Sequence, residues 1–181
     1  MKIRRDTMIT EKSMIVVEMS LNEEKTERYL YKRVWSKAKA PKLACVMTIH
    51  PGSADPNSMD LTTMLIANAI HEMGYDGFLG VNLSSKLQQK RKISASDFSE
   101  ENDSAILEAC NDENVEKIIV AVGSSIKTNK EVNAQLKSII AQLSEERQKM
   151  VEVLVGLDGP VHPLTPIARG VGGWKMAKLK M

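Results

Sequence analysis

The chain has 181 residues, of which 43% are hydrophobic and 27% are charged, and its formal net charge is +2. A folded chain of this length buries roughly 70% of its unfolded surface, so we expect one domain with a sizeable core and exclude general disorder. The small net charge gives no general argument for nucleic-acid binding. The aromatic content of 4% argues against an extensive platform for single strands, which needs many stacking side chains.

The N-terminus lacks the pattern of a secretory signal, and no apolar run approaches the roughly 18 to 20 residues that span a bilayer. We therefore expect a cytoplasmic protein without a membrane partner. Its two cysteines, Cys45 and Cys110, have no His or Cys neighbour at metal-ligand spacing. They are interpreted as reduced core thiols, and neither a metal nor a cofactor is predicted.

The predicted strands begin with two β-rich runs, 13–20 and 28–35, whose polar connection predicts an antiparallel hairpin. The next run, 42–49, is apolar throughout, as expected for a central parallel strand buried on both faces. Further core strands are predicted at 77–83, 116–123 and 150–157.

Helices with apolar residues at helical spacing alternate with these strands. The first helix follows Asp60, which is predicted to cap it, and ends near Gly74. Its predicted inward residues are Leu61, Leu65, Ile66, Ala69, Ile70 and Met73. Those of the second helix are Ala105, Ile106, Ala109 and Cys110, and those of the third are Val132, Leu136, Ile139, Ile140 and Leu143.

The alternation of strands and helices predicts a three-layer α/β sandwich with a mostly parallel, four-stranded central sheet. We interpret 1–181 as a single domain, with an N-terminal hairpin extension at 1–40, an α/β core at 41–166 and a basic tail at 167–181. The polar stretch 84–92 is predicted to be a surface loop. The basic residues of this loop and of the tail are interpreted either as solvated charge or as a rim that faces phosphates.

Four loops that follow the core strands carry the candidate chemistry. In an open parallel sheet, ligands bind outside the carboxyl ends of the strands, so these loops should meet at one edge. The loops are HPGSADP, NLSSK, GSSIKTN and GLDGPVHPLTP. The third suits an anion, because small residues and free N–H groups precede a helix, but it lacks the spacing of a P-loop. The predicted ligand contacts are Ser53, Asn82, Ser84, Gly123, Ser124, Ser125 and His162.

Two histidines stand out in these loops. His50 and His162 each precede a proline, which holds the preceding residue in extended geometry. An imidazole titrates near neutrality and can bind a ligand or act as a general acid or base, although a lone histidine is more often a structural hydrogen bonder. Asp55 is a candidate for ligand contact or for activating water, and Asn82 can both donate and accept, as reading a base edge requires. The candidate catalytic residues are therefore His162, Asp55 and His50.

Six short motifs follow one another in a specific order. They are MTIHPGSAD (47–55), DLT (60–62), NL (82–83), END (101–103), VG (122–123) and GLDGPVHPL (156–164). In order and spacing they resemble a bacterial and phage family, the domain of unknown function family 1643, over roughly residues 28 to 166. The chain departs from the family pattern at His50, where Asn is usual, at Val122, where Trp is usual, and in its shorter last loop.

The same layout resembles a distant variant of the uracil-DNA glycosylase fold. That resemblance implies that His50 and Asp55 lie beside the attacked sugar carbon and that Asn82 reads a base or a similar ring. It also implies that His162 stabilises negative charge on the leaving group.

We therefore expect the protein to bind a nucleotide or a nucleobase-containing small molecule at the carboxyl edge of its sheet. If it is an enzyme, we expect it to hydrolyse a glycosidic or phosphate bond. Two alternatives stay open: a non-catalytic protein that sequesters a nucleotide signal, and a DNA-acting glycosylase-like protein with nucleic acid as its partner. A homodimer through the exposed edge of the N-terminal hairpin is also open.

Overall fold

The computed structural model describes residues 9–87, 93–170 and 173–179, so part of the predicted loop 84–92 lies outside the described residues. The described strands are β1 (Val16–Leu21), β2 (Arg28–Val34), β3 (Leu43–Thr48), β4 (Gly77–Asn82), β5 (Val115–Val120), β6 (Val151–Gly156), β7 (Gly159–Pro160) and β8 (Lys175–Lys178). The described α-helices are α1 (Leu61–Glu72), α2 (Glu100–Asn111), α3 (Ser125–Thr128), α4 (Lys130–Ala141) and α5 (Glu145–Lys149). None of these helices is long and apolar enough to cross a membrane.

One mixed sheet contains all the described strands. Its order is β1-β2-β4-β3-β5-β6-β7, and β8 also pairs with β6. The central strands β4, β3, β5 and β6 run parallel. At one end β1 and β2 are antiparallel, and β2 pairs antiparallel with β4; at the other end β7 and β8 pair antiparallel with β6. The mixed α/β class is confirmed, but the sheet is larger than the predicted four central strands, because the predicted hairpin and the strands β7 and β8 also join it.

Local features of the chain explain why antiparallel strands flank the four parallel ones. The N-terminal hairpin joins the main sheet because β2 pairs with β4 over the register Tyr31↔Gly80 to Val34↔Gly77. A Cβ on Gly77 would collide with the backbone of β2, so the glycine permits this close approach. At the other end, the Gly-Pro pair of β7 and the lysine-rich β8 lack the apolar run that marks a buried strand. The strand β8 falls within the segment interpreted as a basic tail.

Helices cover both faces of the sheet. Alternate residues of β3 point to opposite sides: Leu43, Cys45 and Met47 pack in the cluster that includes α2 and α4, whereas Ala44 and Val46 pack in the cluster that includes α1. All six residues of β3 are buried, as predicted for a central strand. The predicted inward residues of α4 are also buried, together with Ile106, Ala109 and Cys110 of α2.

Three details of α1 and the core bear on the sequence predictions. Leu61 was predicted to face inward, but it is 50% exposed because it is the first residue of α1 at the open edge of the sheet. Gly74 lies just after the capping residue of α1 and adopts φ 83°, a left-handed conformation that favours glycine. The thiols of Cys45 and Cys110 are free and buried, with their Sγ atoms 3.7 Å apart.

Candidate functional site

A cavity of about 200 Å³, which we call the strand-end cavity, opens where β3 and β4 end. Its apolar wall includes Tyr31, Val46, Ile66, Phe78 and Val81. Its polar wall includes Arg28, Thr48, His50, Asp60, Asn82 and His162. The rings of Tyr31 and Phe78 have centroids 5.6 Å apart and are tilted by 37°. The cavity therefore combines aromatic surface with convergent polar groups, as ligand sites commonly do.

Arg28, the first residue of β2, places its guanidinium group in the polar wall and is only 5% exposed. Its Nη1 donates to the backbone oxygen of Ser53 at 2.9 Å, and its Nη2 donates to Oδ1 of Asn82 at 3.3 Å. Its Cζ lies 5.2 Å from the ring centroid of Tyr31. Burial lowers the pKa of Arg28, and the Asp60 carboxylate opposes that shift. Because arginine stays protonated in proteins, the cavity wall contains a buried positive charge.

Asn82, the last residue of β4, has a fixed amide orientation. Its Nδ2 donates to Oγ1 of Thr48 at 2.6 Å, and its Oδ1 must face Arg28, since a guanidinium only donates. The amide retains one unused hydrogen and one unused lone pair. Asn102 of α2 donates from Nδ2 to the backbone oxygens of Asn82 and Leu83 at 2.9 and 3.1 Å, which holds the end of β4 in place.

Asp60 is both a helix cap and part of the cavity wall. Its Oδ1 accepts from the backbone N–H of Thr63 at 3.1 Å, and its Oδ2 accepts from Oγ1 of Thr63 at 2.8 Å. The predicted N-cap is therefore confirmed. A Cβ on Gly52 would overlap the Asp60 carboxylate, so the loop after β3 packs directly on this side chain.

His162 lies in the cavity wall and comes from the loop that follows β7. Its Nδ1 accepts from the backbone N–H of Leu164 at 3.2 Å, so the hydrogen of the neutral imidazole is on Nε2. Burial lowers the pKa of His162 below its ordinary value of 6.5, and the Asp60 carboxylate opposes this shift. Gly123, at φ 68°, packs so closely that a Cβ would lie 3.1 Å from the His162 Cβ. The end of β5 thus supports the position of the imidazole.

The structure brings His50, Asn82 and His162 together in the strand-end cavity. Ser53 and Asp55 instead line a second hollow of about 590 Å³, which we call the loop cavity. Asp55 is exposed, and its Oδ1 accepts from the backbone N–H of Asn57 at 2.9 Å. The sequence therefore grouped Asp55 with the histidines, whereas the structure places it in the neighbouring hollow.

The other predicted contacts do not line the strand-end cavity. Ser84 is fully buried, and its Oγ accepts from the backbone N–H of Lys86 at 3.4 Å. Ser124 is exposed beside the first turn of α3, and Ser125 is the first residue of that helix. Gly123 acts on the cavity through its packing against His162.

Sequence reasoning missed three residues that shape the site: Arg28, Thr48 and Asn102. Nothing in the local sequence marked Arg28 as a site residue, because basic residues in a half-buried strand usually face solvent. Thr48 ends an apolar run and was interpreted only as part of the strand. Asn102 lies in the END motif, which was noted for its resemblance to the family and not for any contact.

A separate groove of about 330 Å³, which we call the β6–β8 groove, shares no lining residue with the strand-end cavity. It is lined mainly by apolar side chains, among them Leu136, Val153 and Leu179, with Lys137 and Lys178 beside them. None of the predicted site residues lines it. In the described part of the chain, no group of three or more His, Cys, Asp or Glu residues could hold a metal ion.

Comparison with known proteins gives a family but no described activity. No curated protein and no solved structure matches the chain. A family model described as protein of unknown function, DUF1643, matches residues 28–164. This segment contains β2, the parallel strands and the loop with His162, and hence the whole polar wall of the strand-end cavity. Because the match covers well over half of the sequence, the chain belongs to the DUF1643 family.

Proposed function

We propose that the protein binds a nucleotide or another nucleobase-containing small molecule, with the heterocyclic ring in the strand-end cavity. The observation that supports this most is the fixed amide of Asn82 beside an aromatic wall at the end of β4. A volume of about 200 Å³ is below the roughly 300 to 1,000 Å³ of pockets for whole drug-sized ligands, so it suits a ring alone. The loop cavity, which shares Gly52 with the strand-end cavity, offers space for the rest of the ligand.

A thermal-shift panel of nucleobases, nucleosides and nucleotides tests the proposal, because a ligand that binds only the folded state raises the melting temperature. We expect at least one compound to stabilise the wild type. Asn82→Ala should lose this stabilisation. Asn68→Ala, which removes an exposed amide on α1 outside the strand-end cavity, should keep it. If duplex DNA raises the melting temperature and no mononucleotide does, the proposal fails in favour of a DNA-acting protein.

Hydrolysis of the glycosidic bond is a second candidate, favoured by the Nε2–H of His162. In that reaction water attacks the sugar carbon, the bond to the base breaks, and the base leaves with the bonding electron pair. A neutral imidazole in the cavity wall can donate a hydrogen bond to the departing base. The likeness to uracil-DNA glycosylases belongs to this candidate and rests on the order of the loops alone.

Product analysis separates hydrolysis from sequestration. The ligand found in the panel is incubated with the protein, and the free base is measured by chromatography. Hydrolysis predicts that free base accumulates with wild type and much more slowly with His162→Gln. Recovery of intact ligand after long incubation would instead support a protein that sequesters a nucleotide.

A further inference from the structure

Arg28 carries a positive charge into the protein, and no acidic side chain among the described residues is bonded directly to it. The residue is only 5% exposed, yet no carboxylate oxygen of a described residue lies within 4.0 Å of its guanidinium. A buried charge is costly unless it is paired. Lys117 shows the usual solution, with its Nζ 2.7 Å from Oε2 of Glu152. Among the described residues, Arg28 therefore has no direct carboxylate partner of the kind that Lys117 has.

The hydrogen-bond capacity of Arg28 is also incompletely used. Of the five N–H donors of a guanidinium, two are hydrogen-bonded to described residues, and both acceptors, Ser53 O and Asn82 Oδ1, are neutral. Nε is buried and has no partner among the described residues. The nearby Asp60 carboxylate acts on Arg28 only at longer range, and each of its oxygens already accepts a hydrogen bond from Thr63. Such a cation can accept a further anionic partner.

The location of Arg28 matches the division of the site into two hollows. The side chain lines the strand-end cavity and is bonded through Nη1 to Ser53, which lines the loop cavity. A ligand with its ring in the first hollow would contact the wall that contains the guanidinium group, and the rest of it would extend past Gly52, which lines both hollows. Guanidinium groups bind phosphates strongly, because two parallel N–H donors match two phosphate oxygens.

We infer that the ligand is a nucleoside phosphate and not a neutral nucleoside, and that Arg28 supplies the counter-charge for its phosphate. The inference rests on the proposed function for the heterocyclic part of the ligand only. The inference that the ligand has a phosphate rests on three observations about Arg28: its burial, its uncharged hydrogen-bond partners and its position in the cavity wall.

Calorimetric titration of the wild type with a nucleoside and with its 5′-monophosphate tests the inference directly. A hydrogen-bonded charge pair in a partly buried site is expected to make the monophosphate bind at least about tenfold more tightly. Inorganic phosphate alone is titrated in parallel and should bind weakly at the same site. Equal affinity for the nucleoside and the monophosphate overturns the inference without any variant.

Two variants assign the phosphate preference to Arg28. Arg28→Met removes the charge and should abolish the preference for the monophosphate. The preference is measured as the ratio of the two affinities within each variant, because Arg28 also orients the Asn82 amide. Arg28→Lys keeps a charge without the planar fork and should retain only part of the preference. Arg33→Met is the matched control, since Arg33 lies on β2 but does not line the strand-end cavity. A full preference in Arg28→Lys and in any folded Arg28→Met overturns the assignment.

The same experiments keep the two proposals distinguishable. If no nucleoside or nucleotide binds, but inorganic phosphate binds the wild type, binds Arg28→Lys more weakly and does not bind Arg28→Met, the proposed function fails and the anion site stands. If the nucleoside binds as tightly as its monophosphate, the proposed function stands and the anion site fails. If neither phosphate nor any nucleotide binds, both are overturned.

Discussion

Arg28 at the start of β2 donates a hydrogen bond of 3.3 Å from Nη2 to Oδ1 of Asn82 at the end of β4. The two residues are 54 positions apart in the sequence, on strands that pair antiparallel. This bond connects the N-terminal hairpin with the carboxyl ends of the parallel strands. The hairpin is therefore part of the candidate site, because it supplies the buried cation and orients the amide.

Asn82→Asp should place a carboxylate of the protein beside Arg28, where it pairs with the guanidinium instead of the ligand's phosphate. The new carboxylate would lie where Oδ1 now accepts from Arg28, and it could accept from the Thr48 hydroxyl on its other oxygen. We expect phosphate-dependent affinity to fall at least about tenfold at neutral pH, because the cation is then paired and the carboxylate repels the phosphate. Calorimetry measures the loss, with Asn68→Asp as the matched surface control. Unchanged monophosphate affinity in Asn82→Asp would contradict the role given to Arg28.

Asp60→Ala should destabilise the fold through loss of the α1 cap. Removing the acceptor of the Thr63 N–H is expected to reduce the free energy of unfolding by about 1 kcal/mol, within a range of roughly 0.5 to 2 kcal/mol. Urea denaturation provides the measurement. Asp60→Asn keeps a capping oxygen and should lose much less. A loss in Asp60→Asn as large as in Asp60→Ala would show that the charge matters more than the cap.

Gly123→Ala should be more destabilising than Gly74→Ala. Both glycines have positive φ, 68° and 83°, so each substitution forces an alanine into a left-handed conformation at roughly 1 to 2 kcal/mol. At Gly74 the added Cβ meets open space, whereas at Gly123 it would lie 3.1 Å from Cβ and 3.3 Å from the backbone nitrogen of His162. Denaturation curves of the two variants give the difference. Equal losses would show that the contact with His162 relaxes without cost.

His162 should make stability depend on pH below neutrality. Its folded-state pKa is lowered, chiefly by burial, from the ordinary value of 6.5. As the pH falls below 6.5, the unfolded chain takes up a proton that the folded chain does not, so stability should decrease until the lower folded pKa is reached. Chemical denaturation between neutral and mildly acidic pH should show a shallower decrease for His162→Gln than for the wild type. Identical pH profiles would exclude His162 as the source.

The core of the fold could be predicted because apolar periodicity encodes burial directly. The continuous apolar run at 42–49 corresponds to β3, whose residues are all buried. The helical spacing in 128–146 corresponds to α4, in which Val132 and Leu136 face the sheet. The meeting of His50, Asn82 and His162 then follows from parallel strands that share one carboxyl edge.

The position of Arg28 could not be predicted, because it depends on pairing between distant strands. Nothing in the local sequence shows that β2 pairs with β4 or that Ser53, 25 residues further along, covers the guanidinium. Asp55 lies apart from the histidines for a local reason. Its backbone N–H donates to Oγ of Ser53 at 3.0 Å, and its carboxylate turns back to Asn57, which leaves Asp55 exposed. Composition alone does not set that direction.

Amide chemical-shift mapping during titration with a nucleoside 5′-monophosphate tests the central claim most directly. If the strand-end cavity binds the heterocycle, the largest saturable shifts should fall on Thr48, Asn82 and His162, which line it. Amides of the β6–β8 groove, such as those of Leu136 and Val153, should not move. Shifts confined to that groove, or no saturable shift with any monophosphate, would contradict the account.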